Sequence, residues 1–170
     1  MAFGLLIARL VIGLAMAGHG AQKLFGWFGG YGPTGTGGFF ANLGWRPGVP
    51  FAVAAGLAEF GGGVLTALGL LGPVGPALVI MVMIVAGIAV HGAKGFWQAN
   101  GGYELNAVYA AGALVLALAG PGAYSIDAVV GFSALSDPLR VWVTVAIAVV
   151  LALANVAVRR PVQAASTPGA

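Results

Sequence analysis

The sequence predicts an all-α fold, an integral membrane bundle of helices that lie side by side across a bilayer. Hydrophobic residues make up 60% of the 170 residues and charged residues only 6%, whereas a soluble domain carries roughly a quarter charged residues. Apolar runs of about 18 or more residues, which are typical of membrane-spanning helices, recur along the chain. So few charged side chains could not cover a water-facing surface, and we expect the protein to contact the lipid bilayer.

Five membrane-spanning segments are expected, in an order set by turn residues. They cover residues 3–24, 50–71, 76–93, 103–120 and 138–158. Proline and glycine at 72–76 predict a tight hairpin between the second and third segments. The aromatic stretch 25–49 is interpreted as a re-entrant or interfacial loop, because tryptophan and tyrosine favour the headgroup level. A short interfacial helix is expected over 125–135.

The charge and the cysteine content exclude several classes of function. The basic residues are scattered between hydrophobic segments, so the net charge of +3 does not indicate nucleic-acid binding. Without cysteine, the chain lacks disulfides, thiolate metal sites and dithiol redox centres. The histidine and carboxylate spacings match no local metal motif, so no metal site is expected. A redox role would need another cofactor or a partner.

The distribution of basic residues predicts the topology. With five spans, most of them fall at one end of the bundle: Lys23, Arg46, Lys94, Arg159 and Arg160. The opposite end holds Arg140 beside Asp127 and Asp137. The positive-inside rule then places the N-terminus outside and the C-terminus in the cytoplasm.

Two ionisable side chains, Arg9 and Glu59, lie deep inside predicted spans. A charged side chain in hydrocarbon is costly and needs a partner. Counting about 1.5 Å per residue from the ends of two antiparallel segments places the two within roughly 10 Å in depth. We therefore expect a buried Arg9–Glu59 ion pair. Such a pair either only fixes the register of the helices or orients a polar ligand.

A second group of polar side chains collects where three predicted helices end at one membrane face. The first segment ends with His19 and Lys23, one helical turn apart, the third ends with His91, and the fourth begins with Glu104. Trp97 lies near the same level. Taken singly, these residues also suit ordinary roles, because lysine snorkels to the interface and Glu104 could favour a helix start. Together they predict a ligand site.

A quinone is the ligand that this group suits best, and it is the candidate cofactor. Its head group needs donors to two carbonyls, a protonation route and apolar or aromatic walls. The candidate ligand-binding residues are His19, Lys23, His91, Glu104 and Trp97. The catalytic candidates are His19, His91 and Glu104. Because histidine changes its protonation state near neutral pH, one of the two histidines is the better proton carrier, with Glu104 orienting it. Haem ligation by the two histidines is less favoured, since both lie near the interface.

Five stretches of the chain also resemble a known family in their order and separations. They are 9–10 with 18–24 (RL and GHGAQKL), 59–63 (EFGGG), 91–97 (HGAKGFW), 102–104 (GYE) and 120–127 (GPGAYSID). Together they are similar to the DoxX family of bacterial and archaeal membrane proteins. The resemblance covers about residues 3–127.

The resemblance implies a fold and a location. DoxX proteins are usually four-helix bundles of the bacterial or archaeal cytoplasmic membrane. On that basis 1–137 is a DoxX-like four-helix membrane domain, 138–160 an additional transmembrane helix and 161–170 a disordered tail. One branch of the family is similar to the small membrane subunit of thiosulfate:quinone oxidoreductase, and other members are linked to oxidative-stress defence. The polar positions that carry over are Arg9, His19, Lys23, Glu59, His91 and Glu104.

Three functions remain open from the sequence. The leading hypothesis is a quinone-associated redox membrane subunit that acts with a partner protein, with its pocket at one membrane face. The first alternative is a non-catalytic membrane scaffold for soluble redox or oxidative-stress proteins. We expect the protein to act with a partner protein or as a homo-oligomer. The second alternative is a small-solute permease in which Arg9 and Glu59 line a midplane site.

Overall fold

The computed structural model describes residues 2–160, and each regular element in that range is a helix. The α-helices are α1 (Ala2–Phe25), α2 (Gly32–Asn42), α3 (Gly48–Leu68), α4 (Val74–Ala86), α5 (Glu104–Ala119), α6 (Ile126–Val130) and α7 (Pro138–Ala157). A π-helical turn at Gly87–His91 and a 3-10 turn at Gly92–Lys94 prolong α4. The expected disordered tail, 161–170, lies outside the described residues.

Within residues 2–160, four helices are long and apolar enough to cross a membrane: α1, α3, α7 and α4 together with its extension to Lys94. The fifth apolar helix, α5, has 16 residues, or about 24 Å at 1.5 Å per residue, against a hydrocarbon core of about 30 Å. The prediction of an all-α membrane bundle is therefore confirmed, and the protein is a multi-pass membrane protein.

The core is a closed arrangement of four helices, in which α1 packs on α3, α3 on α4, α4 on α5 and α5 on α1. Small residues allow the closest of these contacts. A Cβ atom added to Gly13 of α1 would lie 2.6 Å from the carbonyl oxygen of Gly63 in α3, and one on Gly20 would lie 2.7 Å from that of Gly56. In lipid, such close approach of backbones is a main source of helix association.

Helix α7 packs on the outer face of α4. Val141 and Val145 of α7 join Val79 and Met83 of α4 in the buried apolar cluster. The C-terminal end of α7 is tied to the turn between α2 and α3 by three hydrogen bonds. They run from Trp45 Nε1 to Asn155 O (3.0 Å), from Arg159 Nε to Leu43 O (2.8 Å) and from Arg160 N to Gly44 O (2.9 Å). The C-terminal end of α7 therefore lies at the same end of the bundle as this turn, as the five-span arrangement requires.

The segment 25–49 differs from the expected loop. It contains α2, which begins after Tyr31 with Pro33 in its first turn and packs against α3 and α1. Proline is well tolerated at that position because it needs no helical hydrogen bond there. Trp45 is also buried inside the protein rather than on its surface, since only 1% of it is exposed.

Candidate functional site

The predicted Arg9–Glu59 ion pair is wrong, because Glu59 binds a different cation. Its Oε2 lies 2.5 Å from Nζ of Lys23, and this is the only salt bridge within residues 2–160. The glycine contacts between α1 and α3 place Glu59 level with residue 19 of α1. Ten residues separate that level from Arg9, which is about 15 Å along a helix.

Arg9 instead takes part in a buried network at the opposite end of the bundle, which we call the closed end. Its guanidinium donates to the carbonyl oxygens of Pro121 and Tyr124. Nearby, the carboxylate of Asp127 accepts hydrogen bonds from the backbone of Leu71 (3.0 Å) and Gly72 (2.6 Å). Arg9 is 3% exposed and Asp127 1%. The network thus joins the start of α1, the α3–α4 turn and the segment after α5.

The Lys23–Glu59 pair marks the other end, which we call the site end. Lys23 stands near the C-terminus of α1, and its side chain passes Gly56 of α3, where a Cβ atom would lie 3.2 Å from the Lys23 Cβ. The missing side chain at Gly56 leaves the lysine room to reach Glu59. The side chain of Glu59 is 8% exposed and that of Lys23 is 22% exposed.

His91 is brought to the same end by the π-helical turn that prolongs α4. Such turns shift the following side chains around the helix and are frequent at functional sites. Nδ1 of His91 lies 2.7 Å from the carbonyl oxygen of Gly101, and a carbonyl partner requires that nitrogen to donate. The other ring nitrogen, Nε2, is then the one available to a ligand.

A groove cavity of about 450 Å³ lies on the outer side of α3 and α4, between α2 and α7. One wall is polar and consists of Lys23, Glu59 and His91. The rest is aromatic and aliphatic, with one amide from α7: Phe39, Phe40, Trp45, Phe51, Ala54, Ala55, Ala58, Met81, Val82, Val85, Ala86, Val90, Leu151 and Asn155. The cavity therefore combines an apolar slot with charged groups along one side.

An inner cavity of about 270 Å³ lies between α1, α3, α4 and α5. It shares Lys23, Glu59 and His91 with the groove cavity. Its remaining polar lining is His19, Gln98, Asn106 and Tyr109. These three polar residues, which line both cavities, therefore stand between a largely apolar groove and a more polar cavity.

The structure brings together only some of the predicted site residues. Lys23 and His91 share both cavities, whereas His19 lines the inner cavity alone, is exposed and contacts Gln22 at 3.2 Å. Glu104 lines neither cavity, and its carboxylate accepts from the backbone nitrogen of Gln98 at 2.9 Å. Trp97 is 63% exposed and also lines neither.

Sequence reasoning missed two parts of the site. The sequence predicted an ion pair of Glu59 with Arg9, whereas its partner in the structure is Lys23. The aromatic walls from α2, together with Asn155 of α7, had no signal in the local sequence, because both depend on how peripheral helices fold back onto α3 and α4. Within residues 2–160, no group of three or more His, Asp or Glu side chains is placed to hold a metal ion.

The site end combines donors and acceptors in a partly dry setting. Lys23 is a charged donor, Glu59 a charged acceptor and His91 either, according to its protonation. Hydrogen bonds that involve an ionised partner are roughly twice as strong as neutral ones. The arrangement can therefore bind a planar polar head group and exchange protons with it.

Comparison with known proteins identifies the family. The sequence model of the DoxX family matches residues 4–92, which is more than half of the 170 residues and includes Lys23, Glu59 and His91. Comparison with curated proteins gave no match, and comparison with solved structures gave none either. The chain belongs to the DoxX family.

Proposed function

We propose that the groove cavity binds the head group of a membrane quinone, and that the protein is a quinone-associated redox subunit of a bacterial or archaeal cytoplasmic membrane. The observation that carries this proposal is the composition of the cavity, an aromatic slot with Lys23, Glu59 and His91 along one wall. Its volume of about 450 Å³ falls within the range of roughly 300–1,000 Å³ that is usual for small-molecule sites.

The physical chemistry of the slot favours a quinone over a simple lipid. Aromatic side chains such as Phe40 and Phe51 offer faces against which a planar ring can stack. Lys23 can donate to a ring carbonyl, as can Nε2 of His91 when the imidazole is protonated, and such charge-assisted hydrogen bonds are strong where water is largely excluded. An isoprenoid tail would remain in lipid at little cost, since it is already in an apolar medium there.

The inner cavity supports the same proposal, because a quinone takes up protons when it is reduced. Its polar lining, with Gln98, Asn106 and Tyr109, suits water, and it reaches the same Lys23–Glu59 pair from the bundle interior. Protons from the membrane face could then arrive at the ring without crossing the aromatic slot. The chain has no cysteine with which to ligate an iron–sulfur cluster or form a redox disulfide, so the proposal assigns the electrons to a partner protein.

A thermal-shift experiment in mild detergent tests the proposal. Wild-type protein is heated with and without short-tail benzoquinone and naphthoquinone, and we expect a saturable rise in Tm. Lys23→Met and His91→Ala should fold and lose most of that rise, because each removes a donor from the cavity wall. Lys94→Met and His19→Ala are matched controls that leave the groove wall intact, and both should keep the rise.

Two results would overturn the proposal. If no quinone stabilises the wild type, the scaffold alternative is favoured, and binding of soluble redox proteins becomes the function to test. If all four variants retain the shift, quinone binds elsewhere. The permease alternative required Arg9 and Glu59 to line one midplane site. Because these residues lie at different levels of the bundle, the structure does not provide that site.

A further inference from the structure

We infer that α7 supplies a second polar anchor to the groove cavity, the side-chain amide of Asn155, so that the site selects rings with polar atoms on two opposite edges. This inference rests on the proposed function and deepens it. It assigns a specificity role to a helix that lies beyond residue 92, where the match to the DoxX family ends.

Asn155 lines the groove cavity from a different helix than the charged residues do. Lys23, Glu59 and His91 belong to the four-helix core, whereas α7 packs on the outer face of α4. Both Asn155 and Leu151, one turn earlier, line the cavity. A ligand in the groove cavity would contact the four-helix core and, through Asn155, helix α7.

The backbone at Asn155 is held firmly in place. Its carbonyl oxygen accepts from Nε1 of the buried Trp45 at 3.0 Å. The guanidinium of Arg159, one turn further on, lies over the Trp45 ring at 5.1 Å from its centre and donates to Leu43 O. Because this backbone is already ordered, a ligand that binds the Asn155 amide needs to order only the side chain.

The amide of Asn155 is available to a ligand. Among residues 2–160, none of the side-chain hydrogen bonds uses it, since Trp45 binds the main-chain carbonyl instead. The indole nitrogen of Trp45 is occupied by that bond, and the phenylalanines of the cavity have no hydrogen-bonding group. Asn155 is therefore the side chain on this wall that can recognise a polar edge.

The chemistry at both walls matches a ring that changes between two redox forms. An asparagine amide both donates and accepts, and the Lys23–Glu59 pair likewise offers a donor and an acceptor. An oxidised quinone presents an acceptor oxygen at each edge, and the reduced quinol presents a hydroxyl donor at each edge. Both forms can therefore be bound at both edges without leaving a buried polar group unpaired.

Isothermal titration in lipid nanodiscs tests the inference with two ligands of similar size. The probe 1,4-naphthoquinone has two opposite carbonyls, and 1-tetralone has one. We expect the wild type to bind the dicarbonyl about 3- to 10-fold more tightly, the value of one additional hydrogen bond. Asn155→Leu should bind both ligands about equally. Asn106→Leu, which removes an amide that does not line the groove cavity, should keep the wild-type preference.

The outcomes separate this inference from the function on which it rests. If wild type binds neither ligand, the proposed function fails and the inference fails with it. If wild type prefers the dicarbonyl and Asn155→Leu retains that preference, only the inference is overturned. Asn155→Ala is the second variant should the leucine prevent folding, and its expected result is the same.

Discussion

The two ends of the bundle both bury charged side chains, but they satisfy them in different ways. At the closed end, Arg9 and Asp127 bind mainly to backbone carbonyls and amides of neighbouring turns. At the site end, Lys23 and Glu59 bind each other and line cavities on two sides. The first arrangement uses its polar groups to hold loops together. The second leaves polar groups in contact with open volume.

This difference shows how buried charge should be interpreted in a membrane bundle. An ionisable residue inside a span is a functional candidate by default, and Arg9 satisfied that criterion as well as Glu59 did. What distinguishes them is the surroundings, because the guanidinium of Arg9 packs so closely that a Cβ atom on Gly69 would strike it. A buried charged side chain that lines a cavity is therefore a better indication of a ligand site than a charged side chain that only lies within a membrane-spanning helix.

The largest effect on stability is expected at the closed end. Asp127→Ala removes two charge-assisted hydrogen bonds to the backbone of Leu71 and Gly72 and leaves both amides unpaired in a buried setting. We expect the free energy of unfolding to fall by about 3 kcal/mol, measured by denaturant titration in detergent. Asp137→Ala is the control. It removes the exposed N-cap of α7 and should cost about 1 kcal/mol. Equal losses of unfolding free energy in Asp127→Ala and Asp137→Ala would contradict the role assigned to the buried network at the closed end.

A smaller effect is expected from breaking the pair at the site end. Lys23→Met and Glu59→Leu should each lower the free energy of unfolding by about 1–2 kcal/mol, less than a fully buried pair, because 22% of the Lys23 side chain is exposed and the adjoining volume can admit water. The double variant should lose less than the sum of the two. Additive losses would show that the two side chains do not depend on each other.

Much of the fold could be predicted from the sequence. Hydropathy predicted the helices, because backbone polar groups in lipid can be satisfied only by hydrogen bonds within the protein. The turn residues Gly72 and Pro73 predicted the hairpin between α3 and α4. Helix α2 was missed because its sequence, GPTGTGGFFAN, contains four glycines, which disfavour a helix. Its packing against α3 and α1 outweighs that preference.

The site was harder to predict than the fold. The depth of Arg9 and Glu59 was counted from helix ends, whereas the true register depends on which glycines of α1 meet those of α3. In the observed register Glu59 lies level with residue 19 of α1, ten residues from Arg9 and four from Lys23, so its partner is Lys23. Asn155 could not be found from the sequence, because its place in the cavity lining depends on α7 packing on α4, and neither periodicity nor composition specifies that contact.

Photolabelling with an azido-quinone tests the central claim most directly. Wild-type protein in lipid nanodiscs is irradiated with the probe, and the labelled positions are identified by mass spectrometry, with and without excess unlabelled quinone. We expect protectable labelling of the groove walls, in 51–58 of α3, in 81–90 of α4 and the π-helical turn that prolongs it, and in 151–155 of α7. Labelling spread over the lipid-facing surface of α1 and α5, with no protection by excess quinone, would contradict the account.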